Sequence, residues 1–451
     1  MQLTDLNPPG GIGANCLLLQ LDSLNIVVDA GLHPKMMGRK ALPRFEMLRS
    51  IPIDLIFLTH CHLDHLGALP VLARDHPNTP IIASRDTEAF YKRMLRNSYQ
   101  VMDRQRIEHG VADYPLFSYS DITTCARQMI GLLPGQPRLF ESLRGDRFTF
   151  TLHPSGHIPG AVGLMLEHRH RRIFHTGDVL FKDSMMLKGA QFPGGDMDTV
   201  IVETTRGATQ REASREDELK RLLHTIQTTT SHGGSILIPV FALGRMQELI
   251  TFFHDSMKTG KLPDVPLFVS GLGIDLLNKF DQLSRKNKGL RCRRKMLREL
   301  GAEKMPRSHR PGNHGPAIYL LSSGMMVENT PSYMAAAALL DSHQNTICFV
   351  GYCDPDTPGG KLLKVRQGDK FVFKALKRTV PALAHIEKFD LSSHADREEL
   401  LDYTLQRNPR AVVLTHGDPD ARDWFRQQIE TVRPEGDCKV VDPQPLKTVV
   451  V

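Results

Sequence analysis

The sequence predicts an α/β protein in which one unit is inserted into another. Three observations predict it. Between residues 208 and 380 apolar β-runs alternate with helical spacings, the pattern of a parallel, doubly wound sheet. Residues 1–207 read instead as short strands separated by loops. The tail, 381–451, repeats strand, loop and helix but leaves no room for a separate domain, so it completes the first unit.

The first unit opens with Cys16–Gln20 and Asn25–Val28, joined as a hairpin through Leu21-Asp22-Ser23-Leu24. Ile53–Leu58 (IDLIFL), apolar but for Asp54, reads as a buried strand. His65–Arg74 carries Leu66, Leu69, Leu72 and Ala73 on one helical face. Ile81–Ala83 is another short strand, and residues 86–140 read as mainly helical. Phe148–Leu152, Ala161–Leu166, Arg171–His175 and Val200–Glu203 continue as strands. In the second unit Ser214-x-x-Asp217 has capping-box spacing and opens a helix with Leu219, Leu222, Leu223 and Ile226 on one face. Gly233-Gly234 ends it. Ser235–Val240 is a β-run and Gly244–Met257 a helical one. Leu267–Ser270, Ala317–Leu321 and Thr346–Val350 are buried strands between helices.

With 41% hydrophobic and 24% charged residues among 451, the chain has the balance of a globular enzyme. Collagen-like, coiled-coil and disordered classes are excluded. No stretch approaches the roughly 20 apolar residues that span a bilayer, and the N-terminus lacks the basic and apolar regions of a secretory signal. Seven cysteines are scattered without a CxxC pair, which fits a reducing cytoplasm. The net charge of +7 permits a polyanionic partner without demanding one. Much of the excess lies in 285–298 (RKNKGLRCRRKMLR), which contains no acid and reads either as a solvated face or as a surface for a polyanion.

The strongest chemical signal is Thr59-His60-Cys61-His62-Leu63-Asp64-His65, after a strand and before a helix. Strand alternation would put His60 and His62 on one side, with Asp64 and His65 in the turn. Such a set can present donors to two neighbouring metals, and imidazole with carboxylate suits zinc or manganese. Further donors follow strands and stand near glycines. They are His157 in Ser155-Gly156-His157-Ile158-Pro159-Gly160, Asp178 in His175-Thr176-Gly177-Asp178, and His416 in Leu414-Thr415-His416-Gly417-Asp418. Ligands on α/β scaffolds sit at such positions. Asp178 could bridge both metals. Asp29, also after a strand, could orient a ligand without binding a metal.

These motifs resemble the metallo-β-lactamase fold, and later ones resemble its β-CASP nucleases. The later motifs are Ile238-Pro239-Val240-Phe241-Ala242-Leu243-Gly244-Arg245-Met246-Gln247-Glu248-Leu249, Ser322-Ser323-Gly324-Met325-Met326 and Gly351-Tyr352-Cys353. The resemblance implies an αββα metallo-β-lactamase domain with an inserted doubly wound β-CASP domain. It implies two Zn2+ per chain, one on His60, His62 and His157, the other on Asp64, His65 and His416, with Asp178 between. It also makes Glu203 the acidic residue of motif A, His394 the motif B histidine and His416 the motif C histidine. The stretch Glu203-Thr204-Thr205-Arg206-Gly207 departs from the Ser-Thr-Tyr-Gly run usual at motif A.

The implied activity is hydrolysis of RNA phosphodiester bonds, endonucleolytic or from the 5′ end. Two metals roughly 3.5–4 Å apart generate a bridging hydroxide and neutralise the phosphate, and His394 protonates the leaving 3′-oxygen with Glu203 as its partner. The ends are then 5′-phosphate and 3′-hydroxyl. Arg245, opening a helix after a strand, could hold a phosphate, and Ser323 and Gly324 could line the RNA groove. Single-stranded RNA is the implied partner, a homodimer is compatible, and no membrane is. Three rival readings stand beside this one, and the first, a catalytically dead RNA-binding or scaffold subunit, is opposed by the filled ligand positions. A small-molecule (thio)ester or lactam hydrolase of the same fold is opposed by the insertion, Glu203 and His394. A DNA nuclease is opposed by His416.

Overall fold

A computed structural model describes residues 1–285, 287, 289–306, 311–312, 315–433 and 436–451. The chain divides into two units. One comprises Met1–Lys182, Gly189–Gln210 and His394–Val451, the other Asp183–Lys188 and Arg211–Ser393. The return to the first unit thus falls at 393–394, not at 380. Strand His385–Lys388 pairs in parallel with Thr346–Phe349 and so belongs to the inserted sheet.

The first unit contains two seven-stranded sheets. One runs Thr448–Val450, Gln2–Asp5, Leu17–Leu21, Leu24–Val28, Leu55–Phe57, Ile81–Ser84, Met129–Leu132. The other runs Lys439–Val441, Ala411–Thr415, Thr199–Glu203, Arg171–His175, Val162–His168, Arg147–Pro154, Arg138–Glu141. Within the stretch expected to be helical, 86–140, the helices end at Gln128, and Met129–Leu132 and Arg138–Glu141 supply an edge strand to each sheet. The β-branched and aromatic residues that alternate along these strands explain the packing. Ile26, Val28, Phe57, Phe150, Leu164, Ile201 and Val413 form a buried core between the sheets. Val200, Val202, Val412 and Leu414 point the other way, onto Leu400, Phe425 and Ile429 of the helices Arg397–Leu405 and Pro419–Val432. A period of two along each strand gives both faces something to bury.

The strand directions position the site. In the first sheet Leu24–Val28 and Leu55–Phe57 are parallel, with Val28 opposite Phe57. In the second, Arg171–His175, Thr199–Glu203 and Ala411–Thr415 are mutually parallel, with Glu203 opposite Thr415. Parallel neighbours end at the same edge, so the loops after them emerge together, the usual location of binding residues on α/β scaffolds.

The inserted unit is built on a six-stranded parallel sheet, ordered Glu303–Lys304, Leu267–Val269, Ile318–Leu321, Ile236–Pro239, Thr346–Phe349, His385–Lys388. Leu237, Tyr319, Leu321, Ile347 and Phe349 pack on Tyr333, Ala336 and Leu339 of the helix Pro331–Leu339. Ser214 caps the helix Arg215–Ser231, its hydroxyl accepting from Asp217 N at 3.1 Å. Among the described residues no helix is long and apolar enough to cross a membrane.

Candidate metal centre

The strand that precedes the histidine motif stops at Phe57, and the next helix is Leu63–Leu66. His60 and His62 therefore lie in an irregular loop, and strand alternation does not orient them. Backbone anchoring orients them instead. Ala30 N donates to His65 O (2.8 Å) and Leu32 N to Leu63 O (2.8 Å), tying the loop to the segment after Val28. Gly31 permits this crossing. A Cβ there would stand 1.6 Å from the Asp64 carbonyl oxygen, which no side chain survives.

Seven expected donors come together. His60, His62, His157 and Asp178 form one group, and Asp64, His65 and His416 another, each with its donor atoms within 4.8 Å of one another. Asp178 faces both. Its Oδ2 lies 3.6 Å from both His60 Nε2 and His157 Nε2. Its Oδ1 lies 3.5 Å from His65 Nε2 and 3.4 Å from His416 Nδ1. His416 Nε2 stands 3.5 Å from Asp64 Oδ2, and His157 Nε2 is 3.1 Å from His62 Nδ1.

The residues fit divalent metals on the structure's own terms. His60 Nε2 is fully buried and has no hydrogen-bond partner. Burial, with the nearby His65, keeps its pKa well below the usual histidine value, so it remains a neutral donor. Burial opposes the charge on Asp64 and on Asp178, yet the surrounding histidines hold both well below the ordinary carboxylate range. Burial opposes protonation of His65 too, but Asp178, Asp29 and Asp64 outweigh it and raise its pKa well above normal. So many buried carboxylates require positive charge, which a divalent cation supplies.

Two threonines fix the rings, and sequence reasoning missed both. Asp29 accepts from Thr59 N (2.7 Å), from Thr59 Oγ1 (2.8 Å) and from His65 Nδ1 (2.7 Å). Thr59 Oγ1 in turn lies 3.1 Å from His60 Nδ1. With Nδ1 held as the protonated nitrogen of each ring, Nε2 is the atom left to bind a cation on the Asp178 side, His65 giving up its second proton as the cation enters. The same device recurs at motif A. Thr205 Oγ1 donates to Glu203 and sits 2.8 Å from His416 Nδ1. This gives the Thr204-Thr205 departure a use. The only sequence clue was a hydroxyl next to each motif residue. Asn15 was missed as well. Its Nδ2 donates to Asp64 O (3.0 Å) and lies 3.1 Å from His65 Nε2.

Glu203 and His394 also meet. His394 Nδ1 is 3.1 and 3.0 Å from the two Glu203 oxygens, and its ring centroid is 4.7 Å from that of His157. Burial disfavours the charged imidazole, but Glu203 overrides it and the His394 pKa is raised. Glu203 Oε1 also accepts from Val179 N (2.8 Å), next to Asp178. Asp29 and His416 hold φ of 65° and 47°, left-handed values uncommon outside glycine and concentrated at functional sites.

Three residues expected at an RNA groove are otherwise engaged within the inserted unit. Arg245 is 7% exposed, and its guanidinium pairs with Glu248 and donates to Ser393 Oγ at 2.8 Å. Arg215 pairs with the same carboxylate and donates to Ser392 O at 2.7 Å. Ser323 Oγ accepts from Val327 N (2.9 Å), and Gly324 is packed against Phe241. Arg206, from the motif A departure, lies 3.8 Å from Asp396. Lys286 and Lys288 of the basic run lie outside the described residues.

Two donor sets that share one aspartate, at the common edge of a two-sheet sandwich, characterise binuclear metallohydrolases. Comparison with known proteins agrees. The Metallo-beta-lactamase superfamily model matches residues 9–223, the Beta-Casp domain 246–362, and the Zn-dependent metallo-hydrolase RNA specificity domain 379–440. The chain thus carries a metallo-β-lactamase domain with an inserted Beta-Casp domain.

Endoribonuclease YSH1 of Candida glabrata is 26% identical over 423 residues, 91% of this chain and 54% of that protein. Cleavage and polyadenylation specificity factor 73 of Drosophila melanogaster is 26% identical over 438 residues, 95% and 62% of the two chains. Transcription termination factor FttA of Pyrococcus horikoshii is 28% identical over 453 residues, 93% and 66%. The chain thus spans between about half and two thirds of these relatives. A crystal structure of a protein of unknown function from Enterococcus faecalis V583 matches with a TM-score of 0.57 at 13% identity, over 100% of this chain and 99% of that one, a likeness of fold alone.

Proposed function

We propose that this chain hydrolyses RNA phosphodiester bonds at a two-metal centre, cutting within the strand and leaving 5′-phosphate and 3′-hydroxyl ends. The observation that carries this reading is Asp178, whose two oxygens face two separate sets of donors beside the Glu203–His394 pair. Relatives bearing the names endoribonuclease and cleavage factor support it, as does the matched RNA specificity domain.

His60, His62 and His157 would hold one metal, and Asp64, His65 and His416 the other, with Asp178 facing both sets. The imidazole-rich set favours zinc, and manganese suits it too. Bound metals supply an acidified water as nucleophile and neutralise charge on the phosphate. The protein's own contribution is orientation and proton supply. Asp29 with Thr59, and Glu203 with Thr205, hold the ligand rings. His394 has its Nδ1 engaged by Glu203, so its Nε2–H is the proton offered to the departing 3′-oxygen, a role worth on the order of 10²–10⁴ in rate. The seven cysteines are all unpaired, which supports a reducing cytoplasm.

The test is cleavage of single-stranded RNA labelled at either end by wild type, Asp64→Ala and His394→Ala, with metal content read on the same samples. Internal cuts that vanish in Asp64→Ala are expected. Mononucleotides released only from the 5′ end would replace the endonuclease reading with an exonuclease. Full activity of His394→Ala at full metal content would remove His394 from its role. A wild type that holds two metals and leaves RNA intact would refute the proposal.

A further inference from the structure

We infer that the inserted unit carries a phosphate-binding trough of its own, built by Arg285, Arg293, Arg294, Lys295, Arg298 and Lys304, that holds the backbone of single-stranded RNA without reading its bases. The inference rests on the ribonuclease reading for the identity of its polyanion.

A cavity of about 760 Å³ is lined by these six cations, by the single acid Asp281, and by Ile274, Leu297 and Ala302. The charges come from the helix Gly271–Ser284 and its end, the helix Arg294–Glu299, and the edge strand Glu303–Lys304. Two of the cations have partners. Arg285 pairs with Asp281 at 2.9 Å and Lys295 with Glu299 at 3.6 Å. Arg293, Arg294, Arg298 and Lys304 are exposed and have no carboxylate partner among the described residues.

Their placement opposes the local rules of helix stability. Arg293 is the N-cap of Arg294–Glu299, Arg294 and Lys295 follow it, and the first turn contains no acid. Cations at this end oppose the helix dipole and repel one another. Buried Met296 and Leu297 anchor the helix instead. A cluster that costs stability and leaves four of its six cations without a carboxylate partner among the described residues indicates a ligand that supplies the missing negative charge.

The lining also states what the ligand offers. Guanidinium forks match phosphate oxygens. Among the described residues no aromatic side chain lines the trough, so they offer bases no stacking platform. Recognition is therefore electrostatic and independent of sequence.

The experiment measures binding of fluorescent 30-residue oligouridylate and oligoadenylate across a salt series, using the full chain with Asp64→Ala to suppress cleavage. Arg293→Ala, Arg294→Ala and Arg298→Ala are added together. For single strands the slope of log K against log salt is about −0.7 per phosphate contact, so the triple change should flatten the slope by about 2. Affinity near 0.1 M salt should fall on the order of 10²-fold, alike for both RNAs, and converge toward 1 M. Arg→Lys at the same positions should keep most of the slope. Thermal stability of the alanine variant should stay level or rise.

An unchanged slope would overturn the inference, as would a loss confined to one RNA. So would polyglutamate that binds with the same slope while RNA affinity ignores the substitutions. That outcome would make the trough a protein-docking surface. Failure of the trough leaves wild-type RNA cleavage intact. Failure of the ribonuclease reading would instead show as wild type that binds RNA here and never cuts it.

Discussion

Replacing Asp29 by asparagine tests whether the second metal depends on a residue that does not touch it. The change is nearly isosteric. Asp29 holds φ of 65°, a conformation asparagine tolerates and alanine resists, so Asp29→Asn isolates the charge from the backbone. The carboxylate accepts three hydrogen bonds, two of them on Oδ2, from Thr59 Oγ1 and His65 Nδ1. With an amide, a donor must face a donor. If Nδ2 takes the Oδ2 place, the Thr59 hydroxyl can rotate away, but His65 must move its proton to Nε2. That proton then points at Asp178 and Asp64, where a cation would sit. If Nδ2 takes the other place, the rigid Thr59 N–H loses its acceptor, and the loop carrying His60 is disturbed. Outer partners of metal-binding histidines typically contribute 10- to 100-fold in affinity, equivalent to about 1.4–2.8 kcal/mol. Metal content under a graded chelator is the assay. Asp29→Asn should release one metal at 10- to 100-fold lower chelator strength while the other is held nearly as in wild type. Equal retention of both metals would refute the reasoning, because His65 would then need no help to present Nε2.

At motif A, Thr205→Val should weaken retention of one metal by about 10-fold, by the same logic, and Thr205→Ser should restore it; chelator titration reads both. Glu248→Gln leaves Arg215 and Arg245 buried against a neutral group, and loss of one member of a buried ion pair costs about 3–5 kcal/mol, seen as a lower denaturant midpoint. An Arg245 that served RNA instead would change KM and spare stability. Gly31→Ala should cost at least about 1–3 kcal/mol and lower metal content, since its Cβ would overlap the Asp64 carbonyl. Burial pushes the His175 pKa down to about 4, so the folded chain stays neutral there while the unfolded chain takes up a proton below about 6.5. That difference reduces stability as pH falls from 6.5 toward 4, by about 2 kcal/mol at pH 5. His175→Gln should remove this part of the acid sensitivity in denaturation curves at pH 7 and 5.

The donors were legible in the sequence because each stands just beyond an apolar run, and such runs mark strand ends. His60, His62, Asp64 and His65 announce themselves by density alone. The orienting threonines were not legible. Thr59 and Thr205 are ordinary neighbours of motif residues, and only three-dimensional placement shows one hydroxyl joining a carboxylate to a ring. Arg245 illustrates a different case. A cation at the start of a helix after a strand looks like a phosphate holder, but Arg245 is buried against Glu248, one turn along the same helix, and that carboxylate is shared with Arg215, 30 positions back, which no spacing rule connects to it. The strands at 129–141 were lost because short half-exposed edge strands carry little apolar periodicity. The boundary at 393 was lost because membership of a parallel sheet depends on long-range pairing.

The position of the Glu203–His394 pair bears on why an insertion is tolerated at the metal centre. Glu203 is the last residue of its strand before the chain leaves the first unit at Gln210, and His394 is the first residue after it returns. The two are bonded to each other within that unit. Glu203 also reaches Val179 N and Thr205, and so touches the segments that carry Asp178 and His416. The closing contact at the roots of the insertion is thus part of the metal centre itself. A large loop closed by a favourable contact costs little more than a small one, because closure entropy grows only logarithmically with length. The parallel pairing of Thr199–Glu203 with Ala411–Thr415 supplies the rest of that closure, Glu203 lying opposite Thr415. A fold that places both ends of its insertion on an acid and a histidine bonded to each other lets the pair proposed to supply the proton also hold the loop shut.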